Sequence, residues 1–159
     1  MDLESQSTFE RLAPAAGLYA TMPIADAFDW ASVAAGVAAG EWYMVCFRSV
    51  RQPDADERLL QTLDDAAHLE AMSAPGFVHY FKGATNERGE CLSFCLWDTR
   101  AHARAAAGRP AHALATAIVR EMYASYRLEF YRVRLRAGHS RFEFQPYDRP
   151  ARGNPHRLS

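Results

Sequence analysis

The fold of this chain follows from residues 77–97, FVHYFKGATNERGECLSFCLW, in which two apolar segments flank a polar connection. Residues 77–83 and 90–97 are rich in the aromatic and apolar residues typical of strands. Residues 84–89 supply the polar and glycine residues typical of a turn. The pattern predicts a β-hairpin, and the other elements are assigned outward from it.

The elements on either side of the hairpin complete an α+β pattern. Residues 41–51, EWYMVCFRSVR, predict a strand that is apolar on both faces, and residues 54–73 predict an amphipathic helix. After the hairpin, residues 98–107 and a segment that starts at Pro110 predict two helices. Residues 126–136 and 141–145 predict two strands. The order β-α-β-β-α-β with an extra C-terminal strand is the ferredoxin-like pattern, in which helices cover one face of an antiparallel sheet.

Three regions are predicted along the 159 residues. Residues 1–40 form an N-terminal extension that packs on the domain, residues 41–147 form the ferredoxin-like domain, and residues 148–159 form a flexible polar tail. The sheet face without helices carries many aromatic and cysteine side chains, and a large apolar face of this kind is rarely left in water. A homodimer with sheet packed against sheet is therefore expected.

Composition and charge exclude several classes of partner. The net charge is −1, with 18 Lys and Arg against 19 Asp and Glu, so no general attraction to nucleic acid or to an anionic membrane is expected. Cys91 and Cys95 lie on one strand roughly 13 Å apart, too far for a disulfide or a shared metal ion. The polar N-terminus lacks the features of a signal peptide, and no apolar run is long enough to span a bilayer. We expect a cytoplasmic protein that uses no metal.

Three short motifs resemble a known family. Pro75-Gly76-Phe77 enters the second strand, Trp97-Asp98-Thr99-Arg100 ends the third strand at a helix start, and Pro110-Ala111-His112 opens the second helical segment. Together, over about residues 41–136, they resemble the antibiotic biosynthesis monooxygenase-like domains of the dimeric α+β barrel superfamily. The resemblance implies a homodimer with an apolar pocket between sheet and helices in each subunit. It also implies that oxygenases of this type need neither metal nor flavin.

Heme-degrading members of the same family imply a different use of these residues. They carry a Trp at the end of the third strand and an axial His on the second helix, which Trp97 and His112 match in kind. They also carry an Asn on the first strand, and residues 41–51 contain none. Heme is therefore kept as a possible cofactor, whereas the first expectation is that no cofactor is used.

Four residues are candidates for the site. His112 is the candidate proton acceptor, because the pKa of imidazole lies near working pH. Trp97, His79 and Tyr123 are candidate substrate-binding residues that would line the cavity. Each has an ordinary structural alternative: an exposed helix histidine for His112, and core packing for the other three.

The first function that these residues suggest is a cofactor-independent monooxygenase of small aromatic or polyketide-like molecules. His112 would deprotonate the substrate, and the carbanion would pass an electron to dioxygen in a dry pocket. Two alternatives remain open: a non-enzymatic homodimer that holds a small apolar or aromatic ligand, and a heme-binding or heme-degrading protein. If His112 faced solvent, both the oxygenase and the heme hypotheses would lose their main residue.

Overall fold

The computed structural model describes residues 3–147, apart from the side chain of Val119. Its helices and strands follow one another in the order α1 (Leu3–Phe9), α2 (Ile24–Ala27), α3 (Trp30–Ala34), β1 (Gly40–Arg51), α4 (Glu57–Met72), β2 (Phe77–Phe81), β3 (Glu90–Trp97), α5 (Arg100–Ala107), α6 (Pro110–Val119), β4 (Tyr123–Leu135) and β5 (Phe142–Pro146). Short 3₁₀ turns occupy Tyr19–Thr21 and Arg120–Met122. The predicted tail, residues 148–159, lies outside the described residues.

The five strands form one antiparallel sheet in the order β2-β3-β1-β4-β5. This arrangement confirms the predicted ferredoxin-like α+β fold and the hairpin of β2 and β3. β1 lies in the centre, between β3 and β4, which explains why both of its faces are apolar. Met44 and Cys46 are completely buried on one face, and Tyr43 is buried on the other. A central strand needs packing on both sides, and the chain supplies two different layers.

Side-chain caps set the starts of the helices over the sheet. α4 begins at Glu57, later than the predicted residue 54, because the Asp56 carboxylate accepts a hydrogen bond from the Leu59 amide at 3.0 Å. α5 begins after Thr99, whose hydroxyl accepts a hydrogen bond from the His102 amide at 3.2 Å. These caps satisfy amides at the helix N-termini that have no partner within the helix.

β4 begins three residues earlier than predicted, at Tyr123 rather than residue 126. The 3₁₀ turn after α6 leads the chain directly into the sheet, and the Gln52 amide donates a hydrogen bond to the Met122 carbonyl at 2.9 Å. The early start brings Tyr123 beside Arg51 at the end of β1.

Residues 3–37 pack on the sheet face opposite α4, α5 and α6. Phe9, Phe28 and Trp30 are the largest buried side chains of this extension layer, defined here as residues 3–37. The last helix of the extension layer, α3, ends at Ala34. The extension layer contacts apolar residues of all five strands: Trp42, Met44, Cys46, Val78, Leu92, Phe94, Leu96, Val133, Leu135, Phe142 and Phe144.

The side chain of Arg48 joins the extension layer to the sheet. Its Nε donates to Glu129 Oε1 at 3.1 Å, while Nη1 and Nη2 donate to the carbonyls of Ala20 at 3.0 Å and Met22 at 2.7 Å. Burial disfavours the charge of Glu129, but Arg48 outweighs that effect and lowers the pKa of the carboxyl. The Arg48 guanidinium therefore donates hydrogen bonds to a carboxylate of β4 and to two carbonyls at the end of the 3₁₀ turn.

This layer occupies the sheet face on which a second copy was expected. The apolar side chains that suggested a sheet-to-sheet contact are buried by residues of the same chain. The exposed apolar face that was the reason to expect packing of sheet against sheet is therefore absent in the structure. Within residues 3–147, no helix combines the length and the apolar character needed to cross a membrane.

Candidate functional site

The helix side of the sheet holds three of the four candidate residues. We define the helix-side face as the alternate residues of β1, β3 and β4 that point toward α4, α5 and α6. Tyr43 and Trp97 on this face pack against Ala103 and Ala106 of α5. Phe130 of β4 stacks on Tyr43 with ring centres 6.2 Å apart. This end of the face is a filled core.

Trp97 belongs to that core. It is 4% exposed and lies edge-on to Phe77, with ring centres 5.6 Å apart. Its indole N–H donates to the Cys95 sulfur at 3.2 Å. Burial raises the pKa of the Cys95 thiol to about 11, so the sulfur stays protonated at neutral pH. Both the packing surface and the polar atom of Trp97 are thus already used inside the protein.

Tyr123 lies at the other end of the helix-side face, in a group of three rings that we call the aromatic corner: Phe47, Tyr123 and Tyr126. The ring centre of Phe47 lies 4.2 Å from that of Tyr126 and 5.6 Å from that of Tyr123. Tyr126 is 44% exposed, so this corner reaches solvent. Partial burial raises the pKa of both tyrosines, that of Tyr126 to about 12, and both are therefore neutral phenols at pH 7.

His112 lies on the exposed surface of α6. It lines an open groove of about 540 Å³, here called the outer groove, together with Ala107, Ala113, Thr116, Ala117 and Arg120. The residues of α6 with less exposure are Ala111, Ala115 and Ile118, on another side of the helix. His112 therefore faces solvent rather than an enclosed space between helix and sheet.

Thr116 contacts both the backbone and the ring of His112. The Thr116 hydroxyl donates its proton to the His112 carbonyl at 2.9 Å, and Thr116 Oγ1 lies 3.5 Å from His112 Nδ1. The hydroxyl proton is therefore used by the backbone of α6, and the contact with the ring is too long to orient it.

Glu70 of α4 fixes the start of α6. Its carboxylate accepts hydrogen bonds from the amides of Ala111 at 3.1 Å and His112 at 3.3 Å. An acid from a neighbouring helix thus caps α6, which has no capping side chain of its own. The sequence gives no local signal for this contact, because residues 70 and 112 are far apart in the chain.

His79 lies on the opposite face of the sheet. Its ring stacks on Phe9 of the extension layer at 6.4 Å and contacts Phe94 at 6.0 Å. The pairing of β2 with β3 shifts register between Phe77 and His79, which turns His79 away from the helices. Burial lowers the pKa of His79 to about 4, so the ring is neutral in the folded protein at pH 7. His79 cannot share a cavity with His112.

The four candidates therefore occupy four places: a filled core, the aromatic corner, the outer groove and the sheet face beneath the extension layer. The outer groove and the aromatic corner are connected along the chain, because Arg120 lines the groove and begins the 3₁₀ turn that leads into Tyr123. The spacing of four between His112, Thr116 and Arg120 was visible in the sequence. The meeting of Phe47 with Tyr126 was not, because it depends on the register of β1 and β4.

Comparison with known sequences gives two matches. A family model described as PB2B2.08-like matches residues 2–146. The UPF0643 protein PB2B2.08 of Schizosaccharomyces pombe is 28% identical over 144 residues, which cover 80% of this chain and 66% of that protein. The chain thus spans slightly less than two thirds of the length of this curated relative.

Solved structures with the same fold have low sequence identity. Rv0793 from Mycobacterium tuberculosis has a TM-score of 0.51 and 22% identity, covering 56% of this chain and 91% of its own. SnoaB from Streptomyces nogalater, a cofactor-independent oxygenase, has a TM-score of 0.51 and 14% identity, covering 64% and 100%. A putative antibiotic biosynthesis monooxygenase from Nitrosomonas europaea has a TM-score of 0.51 and 13% identity, covering 56% and 95%. The resemblance noted in the sequence is confirmed at the level of the fold.

Proposed function

Because the chain belongs to the PB2B2.08-like family and shares a fold with antibiotic biosynthesis monooxygenase-like proteins, we propose that it binds a small aromatic molecule. The binding surface consists of the aromatic corner and the adjoining outer groove. The observation that carries the proposal is Tyr126, which is 44% exposed yet packed against two other aromatic rings. A flat ligand placed there gains ring stacking and removes apolar area from water.

A cofactor-independent oxygenase is the second candidate; it rests on the fold shared with SnoaB and is weakened by the exposure of His112, its expected proton acceptor. SnoaB is described as an enzyme of this type. In such a reaction Nε2 of His112 would accept a proton from the bound phenol or carbon acid. The resulting anion would give one electron to dioxygen, producing a substrate radical and superoxide. The outer groove is open to water and does not supply the dry pocket that this step favours, so binding ranks first.

Heme does not fit the residues around His112. An axial histidine must face a slot that buries the flat macrocycle, whereas His112 lines an open groove on the outside of α6. β1 also lacks the asparagine of the heme-degrading relatives. We therefore assign no step to heme.

A homodimer remains part of the proposal, with a contact surface other than the sheet. The support is the apolar surface left by α4 and α6, where Leu69, Met72 and Leu114 are 72%, 57% and 54% exposed. Sedimentation equilibrium at micromolar concentration should give twice the chain mass of 17.8 kDa. A monomer at all concentrations would refute the dimer and leave ligand binding unaffected.

Isothermal titration with 2-naphthol tests the binding proposal. Tyr126→Ala removes the exposed ring, and we expect the Kd to rise about fivefold, the value of one aromatic stacking contact of about 1 kcal/mol. Tyr147→Ala is the matched control, because Tyr147 lies away from the aromatic corner, against Tyr43 and Arg100. An unchanged Kd in the Tyr126 variant, or no binding by the wild type, would rule out the site.

Oxygen uptake with 1,5-dihydroxynaphthalene, in wild type and His112→Ala, tests the second candidate.

A further inference from the structure

We propose that the ligand of this site is a planar aromatic anion, such as an aryl carboxylate, and that Arg120 binds its negative group. This inference rests on the proposed function and specifies the class of ligand. It also makes Arg120 the residue that determines specificity in the outer groove.

Arg120 is in the right place to meet such a ligand. It lines the outer groove in one stripe with His112 and Thr116, eight and four residues before it on the same side of α6. The floor of the groove between them consists of alanine methyl groups, which suit the apolar body of a ligand. Arg120 also begins the 3₁₀ turn that leads into β4, and the first residue of β4 is Tyr123 of the aromatic corner.

The guanidinium of Arg120 is also available. Within residues 3–147, most arginines of the sheet have acidic partners: Arg48 and Arg127 pair with Glu129, Arg51 with Glu57, Arg132 and Arg134 with Glu41, and Arg136 with Glu143. No ion pair or hydrogen bond to the Arg120 side chain is found among those same residues. A ligand anion would therefore meet a donor that is not already engaged.

The surrounding charge favours an anion over a cation. Residues 99–120 contain four arginines and two histidines but no Asp or Glu. Two acids among the described residues contact this segment and both are engaged: Glu70 accepts hydrogen bonds from the amides of Ala111 and His112, and Asp98 bonds the ring of His102. Glu121 follows Arg120 directly but does not line the groove. A carboxylate also matches the guanidinium in shape, because both are planar and can form two parallel hydrogen bonds.

The groove has a size suited to a small molecule. Its volume of about 540 Å³ lies within the roughly 300–1,000 Å³ range of ligand pockets in proteins. Its open form indicates that the charged end of a ligand stays partly in water. An exposed ion pair of this kind contributes about 1 kcal/mol at most, which corresponds to about a fivefold change in Kd.

Two probes that differ only in charge test the proposal. We would measure the Kd of 2-naphthoate and of its neutral analogue 2-naphthamide at low salt. Wild type should bind the naphthoate about fivefold more tightly than the amide. Arg120→Gln should reduce this ratio to about one, with a larger loss of affinity for the naphthoate than for the amide. The control variant is Arg104→Gln, an exposed arginine of α5 that does not line the groove, and it should keep the wild-type ratio.

The outcomes separate this inference from the proposed function. If both probes bind wild type equally, or if the preference for naphthoate survives in Arg120→Gln, the assignment of the anion to Arg120 is overturned while aromatic binding stands. If neither probe binds, both proposals are overturned. Because Arg120 is exposed and has no partner within residues 3–147, the variant should keep the wild-type Tm, which shows that a lost preference is not a folding defect.

Discussion

His79 is a buried base held between two aromatic rings. Phe9 of the extension layer lies on one side and Phe94 of the sheet lies close by. Nε2 is buried without a hydrogen-bond partner among residues 3–147. Burial, and to a smaller degree the charge of His68, lowers the pKa of His79 to about 4. The folded protein therefore holds this ring in its neutral form, whereas the unfolded chain protonates it at an ordinary pKa near 6.5.

This difference predicts how stability depends on pH. Between pH 6.5 and about 4 the unfolded state binds more protons than the folded state, so the free energy of unfolding falls as the pH is lowered. The loss due to His79 alone should reach about 3 kcal/mol. Urea unfolding of wild type and His79→Phe at pH 7 and pH 4.5 measures it. The phenylalanine variant should lose less stability than wild type on acidification.

The histidine at position 139 provides the control for that experiment. His139 lies in an exposed turn after β4, so His139→Phe should retain the acid sensitivity of wild type. Equal acid sensitivity of wild type and His79→Phe would mean that His79 is not held in its neutral form by burial.

The turn between α4 and β2 shows how one glycine positions two elements. Gly76 has a φ of 80° and its carbonyl accepts a hydrogen bond from the Asp98 amide at 2.9 Å. Asp98 in turn bonds the His102 ring at 2.7 Å. A methyl group at position 76 would clash with Asp98 Oδ1 and His102 Nδ1. The turn therefore joins the entry of β2 to the start of α5, and only glycine leaves enough space.

Three glycine-to-alanine variants separate the cost of a left-handed φ from the cost of the steric clash at this turn. Gly76→Ala should lose about 3 kcal/mol of stability, because it combines a left-handed φ with a steric clash. Gly138→Ala, with a φ of 77° and no atom within 4 Å of the added methyl, should lose about 1 kcal/mol. Gly17→Ala has open space and should change stability by less than about 0.5 kcal/mol. Chemical denaturation ranks them, and equal losses for Gly76 and Gly138 would show that the clash is relieved without cost.

At the scale of the whole molecule, the sheet is a central layer with a different cover on each face. α4, α5 and α6 cover the helix side and carry the candidate site. The extension layer covers the other side with its own apolar core. Arg48 is the main polar connection between the extension and the sheet, because its three donors reach Glu129, Ala20 and Met22.

Loss of this connection should weaken the whole fold. Arg48→Met leaves Glu129 without its buried partner, and we expect a loss of about 3 kcal/mol of stability. Hydrogen exchange of amides in residues 19–22 should become faster. Arg127→Met is the control: Arg127 binds the same carboxylate at 2.6 Å, but its side chain is 68% exposed, so the loss should stay below about 1 kcal/mol. Similar losses in the two variants would contradict a special role for Arg48.

Local patterns were sufficient to assign most of the elements. The apolar and aromatic content of β1 and β3 is read from neighbours along the chain, and both strands were assigned at close to their observed bounds. The proline at the start of α6 marked the helix start correctly. The starts of α4 and β4 were misplaced by three residues, because capping and the 3₁₀ turn depend on individual hydrogen bonds.

The candidate site was predicted less well than the fold, because a site depends on which face each side chain takes. A register shift in β2 was enough to put His79 on the far side of the sheet from Trp97. No local pattern shows such a shift, because it is settled by the packing of Val78 and His79 against the extension layer.

The sequence by itself determined the order of elements, the sheet and the fold class, since these follow from periodicity, turn residues and apolar content within short segments. The tertiary structure alone decided what covers each face of the sheet. It placed residues 3–37 where a second copy was expected, put His112 on an open groove, and brought Phe47 against Tyr126. The physical reason is that covering an apolar face requires only apolar surface of suitable shape. Whether that surface comes from the same chain or from another is decided when distant segments pack together.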